Sequence, residues 1–233
     1  MQKGIKFRIY PNREQKNFIR QTLGCCRLIY NRGLAMRKES YEEGKKIGYT
    51  QTSAMLTELK RQEEFAFLKA ADFIALQQSL RDLDRSFVNF FQKRASYPTF
   101  KSKHNRFQSY RTVNQKDNIR IVGRYIKLPK LGFVKIRQSM EVGKINHVTI
   151  EYTPAGKYFA VLNVDFEPEP RPNAGGTIGI DVGIKAFYSD SNGNTVSNPR
   201  YLERSMRKLI REQRRLSRKQ KDSHNRGKQR LRV

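Results

Sequence analysis

Between Asp72 and Phe90 the apolar residues Phe73, Leu76, Leu80, Leu83, Phe87 and Phe90 recur at alternating three- and four-residue steps, which marks one helix face. A stripe this continuous is a packing surface, and partner helices have to cover it. Ile19, Leu23, Cys26, Tyr30 and Leu34 repeat at the same period after the Pro11-Asn12 turn, with Arg13, Lys16, Arg20, Arg27 and Arg37 on the remaining surface. A further helix is expected to start at Ser53, a good N-cap, and to carry Met55, Leu56 and Leu59. Residues 12–95 therefore read as a small helical bundle.

The flanking segments have a period of two. Ile5, Phe7 and Ile9 alternate with Lys6, Arg8 and Tyr10, and short alternating strands follow at 119–121, 125–128 and 133–137. A hairpin turns at Pro154-Ala155-Gly156-Lys157, with Val148, Ile150 and Tyr152 before it and Tyr158, Ala160, Leu162, Val164 and Phe166 after it. These strands suit a small β-barrel or curled sheet that the opening strand completes, with the helices as an insertion. Glu167-Pro168-Glu169-Pro170-Arg171-Pro172 is a stiff tether that 173–176 releases, and it marks a domain boundary.

With 48 Lys+Arg against 21 Asp+Glu the formal net charge is +27, and only 37% of the 233 residues are hydrophobic. An excess this one-signed points to a polyanion, because each phosphate neutralised releases counterions. From Tyr97 to Arg111 aromatics and cations interleave, as unpaired nucleic acid requires: rings stack on bases while cations follow the backbone. Tyr97, Phe100, Lys101, Lys103, Arg106 and Arg111 are the candidate contacts there, joined by Arg124, Lys127 and Lys130 among the strands. The competing reading makes Phe107 and Tyr110 core residues of a strand. Between Tyr201 and Val233 a basic helix carries 13 Lys+Arg against Glu203, Glu212 and Asp222. Its Arg207, Arg211, Arg214, Arg215 and Arg218 are candidate phosphate contacts, while Glu203 and Glu212 are expected to form surface ion pairs.

No apolar run approaches a membrane span, and the first residues lack the apolar core of a signal peptide, so a cytoplasmic protein is expected. Adjacent Cys25 and Cys26 read as core residues. With His104, His147 and His224 widely separated, no zinc site is expected.

Thr177 to Lys185 reads as a strand with Ile178, Ile180, Val182 and Ile184 on a core face, and Gly179, Asp181 and Gly183 on the other. Asp181 stands between two glycines, where a hydrated cation and a phosphate could approach, and metal ligation is favoured over a structural aspartate. Asp190 leads into the Ser191-Asn192-Gly193-Asn194 turn of a second hairpin, and turn chemistry accounts for it.

The order of these pieces resembles the TnpB/OrfB proteins of bacterial insertion sequences. The matching blocks are Lys3 to Leu34 with Tyr30-Asn31-Arg32-Gly33-Leu34, Leu80-Arg81-Asp82-Leu83-Asp84-Arg85-Ser86-Phe87 through Phe100-Lys101-Ser102-Lys103, Leu128-Pro129-Lys130-Leu131-Gly132, and Ile178-Gly179-Ile180-Asp181-Val182-Gly183. The resemblance implies an RNA-guided DNA endonuclease related to type V CRISPR effectors, found in the bacterial or archaeal cytoplasm. It implies an α+β chain: a wedge-type β-barrel at 1–10 and 112–170, a helical recognition lobe with the basic aromatic loop at 11–111, a linker at 171–176, and an incomplete RuvC (RNase H-like) domain at 177–233. Guide RNA and target DNA are the implied partners, with no membrane. Asp181 is the implied first catalytic carboxylate, binding magnesium. The family's later glutamate, Cys-x-x-Cys pairs and final aspartate have no counterpart here, so the chain reads as a truncated nuclease not competent to cut alone, its missing carboxy-terminal half supplied in trans. Two alternatives accompany this reading: a nuclease-deficient nucleic-acid-binding protein or repressor, and an RNA-independent DNA-binding transposition protein using residues 13–37 as a helix-turn-helix.

Overall fold

The computed structural model describes residues 1–105, 107–168 and 175–233, which divide into two compact units, Met1–Glu167 and Pro168–Val233. Arg106 and most of the expected 171–176 linker lie outside the described residues.

The first unit begins with β1 (Gln2–Tyr10), whose Phe7 and Ile9 are buried while Lys6, Arg8 and Tyr10 face away from the core. Asn12 then starts α1 (Arg13–Glu42) with a reciprocal cap: its side chain accepts from the Gln15 amide at 2.8 Å, and its own amide donates to Gln15 Oε1 at 3.0 Å. The Gln15 side chain also donates to the carbonyls of Leu131 and Phe133, which ties the helix start to the sheet. A second helix, α2 (Tyr49–Arg61), starts at Gly48 rather than at Ser53, because the Gln51 side chain reaches back to the Gly48 amide and supplies the cap. A 3-10 helix (Glu63–Lys69) leads to α3 (Phe73–Phe91), which Asp72 caps through the amides of Ile74 and Ala75.

The α3 stripe is buried as its period requires: Leu76, Leu80 and Leu83 are inaccessible and Phe87 nearly so, while Phe73 at the first turn stays partly exposed. Helices α1 and α3 approach closely at Gly33, where an added Cβ would lie 3.0 Å from methyls of both Leu80 and Leu83.

Seven antiparallel strands complete this unit: β1, β2 (Gln108–Val113), β3 (Arg120–Val122), β4 (Tyr125–Leu128), β5 (Gly132–Arg137), β6 (Ile145–Tyr152) and β7 (Tyr158–Asp165). Their order is β2-β6-β7-β1-β5-β4-β3. The expected barrel is thus a curled, open sheet, since β2 and β3 are edges with no ladder between them. The Asn114 side chain bridges the gap instead, donating to the carbonyls of Ile119 and Ile145 and accepting from the Ile119 amide. α1 and α3 pack against β2, and one hydrophobic core runs from Ile19 and Leu76 through to Val134 and Leu162. Helices and sheet therefore share this core, beside a smaller cluster of Tyr30, Leu34, Leu83 and Phe87, and the boundaries expected at 10/11 and 111/112 fall within one compact unit. Cys25 and Cys26 are buried in that core as free thiols, and burial pushes the Cys26 thiol up.

The second unit holds a three-stranded sheet in the order β10-β9-β8, from β8 (Ile180–Asp181), β9 (Ala186–Asp190) and β10 (Thr195–Ser197), followed by α4 (Tyr201–Ser217) and α5 (His224–Arg230). The single basic helix expected from Tyr201 to Val233 is in fact two helices, broken around Asp222, which has a positive φ of 63°. Glu212 is not a surface residue: it is 7% exposed, accepts from Gln229 Nε2 at 2.7 Å and pairs with Arg215 at 2.9 Å, so it joins α5 to α4. The Gln229 amide lowers the Glu212 pKa most, with Arg215 and Arg211 adding to it. Glu203 does form the expected surface pairs, with Arg207 at 3.7 Å and Arg200 at 4.0 Å.

Candidate nucleic-acid interface

The 97–105 loop is fixed to the helices rather than free. Asn31 accepts from the Lys101 amide at 2.8 Å and donates to its carbonyl at 2.9 Å. The Lys101 ammonium lies 4.0 Å from the centre of the Tyr30 ring, and burial lowers its pKa. Tyr97 stands edge-on to Phe87 and Phe90, with ring centres at 5.6 and 5.3 Å. Phe100, Lys103 and Phe107 are exposed, but Tyr110 is buried on β2, as the core reading of that residue holds. Arg111 pairs with Asp82 across the α3–β2 contact. Lys130 is engaged as well: its ammonium donates to the carbonyls of Lys69, Ala70 and Ala71, covering the carboxyl end of the 3-10 helix, where a cation offsets the helix dipole. Three candidate cations, Lys101, Arg111 and Lys130, thus have structural partners.

The sheet presents a basic surface that the candidate residues mark only in part. Its inner face is apolar, and the strand register aligns the outward positions in rows. Arg137, Arg8 and Phe159 are successive neighbours across β5, β1 and β7; Tyr10, Lys135 and Tyr125 across β1, β5 and β4; Phe133, Lys127 and Arg120 across β5, β4 and β3. Arg124 occupies the β3–β4 turn. Lys6 and Arg8 lie over the Phe159 ring at 4.7 and 5.1 Å, and Lys6 also pairs with Glu151. Of this surface the sequence reading named Arg124 and Lys127 but passed over Lys6, Arg8, Tyr10, Tyr125, Phe133, Lys135 and Arg137. Period-two alternation could have found them, because each sits one position from a buried residue.

On α4, Arg207, Arg211, Arg214, Arg215 and Arg218 line one concavity of about 480 Å³ together with Ile210, so the five arginines share a side. Arg215 is partly committed to Glu212.

Asp181 lies on β8, an edge strand of two residues, opposite Ser189 and exposed. The expected core face beside it is not a core. Ile178, Ile180, Val182 and Ile184 are all at least half exposed, reaching 91% at Ile184, because only Ile180 and Asp181 are in regular strand and, among the described residues, no packed layer covers them. Gly179 does not open a space for a cation: its amide donates to Ser191 Oγ at 3.1 Å and its carbonyl accepts from the Ser191 amide. Asp190 accepts from the amides of Asn192 and Asn194 and from the Asn194 side chain, so its task is the turn, and the Asn194 amide holds its pKa down. Among the described residues no three His, Cys, Asp or Glu side chains come together as a metal site. Among the described residues Asp181 is a lone carboxylate, too few donors to hold a magnesium ion by itself.

The chain is thus a basic sheet with a helical insertion, followed by a short sheet and an arginine-faced helix. Residues 1–46 match the family model of a helix-turn-helix domain named for OrfB of IS605, and residues 147–233 match the probable transposase model of the same OrfB. The chain belongs to the TnpB/OrfB family of insertion-sequence proteins. It is 35% identical over its whole length to a protein of Streptomyces pristinaespiralis named "Putative RNA-guided DNA endonuclease", covering 59% of that protein. It is 34% identical over 98% of its length to the similarly named InsQ of Escherichia coli K12, covering 57% of it. It thus spans under two thirds of these relatives. Virulence protein VsdF of Salmonella dublin matches 45% of the chain at 31% identity, over 96% of VsdF. A cryo-EM structure of a CRISPR-Cas12f ternary complex aligns with 94% of the chain at a TM-score of 0.39 and 14% identity, a likeness too low to support an argument.

Within residues 1–46 the structure has β1 and one unbroken thirty-residue helix, α1. Residues 13–37 therefore lie in one helix, with no turn among them. Among the described residues no helix is long and apolar enough to cross a membrane.

Proposed function

We propose that this chain is the guide-holding part of an RNA-guided DNA endonuclease, with guide RNA and target DNA as its partners. The observation that carries the reading is the match, over essentially the whole of this chain, to parts of two relatives named for that activity. The +27 charge, the basic outer face of the sheet and the arginine side of α4 support it physically, since each supplies more cations than carboxylates. In this reading the first unit combines the wedge and recognition functions, and the second is the opening part of a RuvC (RNase H-like) domain. Asp181 contributes one carboxylate. Two-metal phosphodiester chemistry needs several acids around the ions, of which Asp181 is one.

Purification of the chain from cells carrying its own locus, followed by sequencing of retained RNA, tests this. A discrete RNA from the neighbouring sequence is the expected result. Recovery of no RNA, or of random fragments, overturns the guide-holding role.

A further inference from the structure

At one end of the sheet, the tip of β1, the β3–β4 turn and the segment after β5 form an open cleft of about 750 Å³ whose charged and aromatic lining is Tyr10, Arg124, Lys135, Arg137 and one carboxylate, Glu141. Its volume falls within the range of small-ligand sites. We propose that this cleft holds one unpaired nucleotide of a bound strand, its base stacked on Tyr10 and its flanking phosphates on Arg124, Lys135 and Arg137. The inference deepens the nucleic-acid reading above and rests on it.

Two features of the sheet call for an anion here. Arg8 and Arg137 are direct cross-strand neighbours, an arrangement of like charges that destabilises a sheet unless something negative lies between or beside them. Neither forms an ion pair among the described residues. Arg8 also has a buried guanidinium nitrogen, Nη1, with no hydrogen-bond partner, while its guanidinium lies 5.6 Å from the Tyr10 ring centre. Lys135, between Tyr10 and Tyr125 in a neighbouring row, adds a third cation to the same outward face.

Exposed rings beside these cations set the class of ligand. Tyr10 and Tyr125 are each 48% exposed and Phe133 is 52% exposed, all on the outward face where packing does not require an aromatic. Paired bases in a duplex keep their faces against one another and offer none to a protein ring, whereas every unpaired base has a face to stack. Phosphate alone would explain the arginines and the lysine but not the rings. An acidic peptide would likewise leave Tyr10, Tyr125 and Phe133 without a use.

The test is titration of the full chain, stripped of nucleic acid in high salt, with a short single-stranded oligoribonucleotide carrying 2-aminopurine, and with an RNA duplex of the same sequence. Fluorescence quenching by stacking, with preference for the single strand, is expected. Tyr10→Ala should abolish the quench and weaken single-strand binding roughly tenfold, Tyr10→Trp should restore both, and Lys135→Gln with Arg137→Gln should lower the salt slope by roughly 1.4. Unchanged thermal unfolding of each variant separates these effects from misfolding. Equal binding and quenching by Tyr10→Ala, or displacement of the oligonucleotide by polyglutamate at equal charge concentration with no quench, overturns the cleft. If the wild-type chain retains its locus RNA while Tyr10→Ala behaves identically, the cleft fails and the proposed function stands. If no RNA is retained by either, the proposed function fails first.

Discussion

Gln229 donates from Nε2 to both the side-chain carboxylate and the backbone carbonyl of Glu212, at 2.7 and 3.3 Å, and so folds α5 back on α4. Because the folded-state pKa of Glu212 is lowered, its stabilisation is fully present above the ordinary carboxylate value and fades as pH falls through the folded value. The α4–α5 pair should therefore loosen below about pH 4.3, and Gln229→Leu should remove much of that pH dependence. Amide exchange in α5 across a pH series measures it. Protection that is equal at pH 7 and pH 3 would show that the carboxylate does not hold the pair.

Lys130→Met leaves three carbonyls at the end of the 3-10 helix without their cation. A loss of about 1 kcal/mol in chemical denaturation is expected, with no change in the salt slope of nucleic-acid binding. A changed slope with unchanged stability would return Lys130 to the interface.

Gly33→Leu places a side chain where even a Cβ already meets Leu80 and Leu83. Overpacking of this kind costs about 1–3 kcal/mol, and a fall in melting temperature should follow. An unchanged melting temperature would mean that α1 and α3 are not in contact there.

Arg207, Arg211, Arg214 and Arg218 changed together to Gln spare Arg215, which braces Glu212. Binding of single-stranded RNA should then lose roughly 0.7 in salt slope per phosphate contact removed. A slope equal to that of the unaltered chain takes α4 out of the interface.

Asp181→Asn should leave thermal unfolding unchanged, with and without millimolar Mg²⁺, since Asp181 is exposed and, among the described residues, no other two acids join it. A magnesium-dependent stabilisation lost in this variant would reveal a site that the present carboxylates do not form.

The helices were legible because α1 and α3 each bury one periodic stripe, and period survives without knowledge of the partner. The strands were legible one at a time, but not their order: nothing local in Ile5 to Ile9 says that they lie between β7 and β5. The outer face was missed for a related reason. Alternating Lys, Arg and Tyr along one strand looks like ordinary solvation, and becomes a patch only when the register sets Arg137 beside Arg8 and Lys135 beside Tyr10. Lys130 was misjudged because a cation in a turn carries no sign of the carbonyls that a distant helix end brings to it. At Asp181 the alternation was readable, yet the burial it implied did not follow, because a two-residue edge strand has no layer against it.

The central place of β1 has a cost in time. Ile5 pairs with Leu162 and Ile9 with Ile136, so the first strand made is held by strands made long after it. At ordinary synthesis rates β1 leaves the ribosome on the order of ten seconds before β7 exists. Over that interval α1, α2 and α3 can form from local contacts, while β1 waits as an unpaired amphipathic strand with both edges open. Long-range pairing of this kind folds slowly. The most vulnerable moment for this protein therefore falls during translation, when a neighbouring nascent chain can offer β1 an edge before its own β7 arrives.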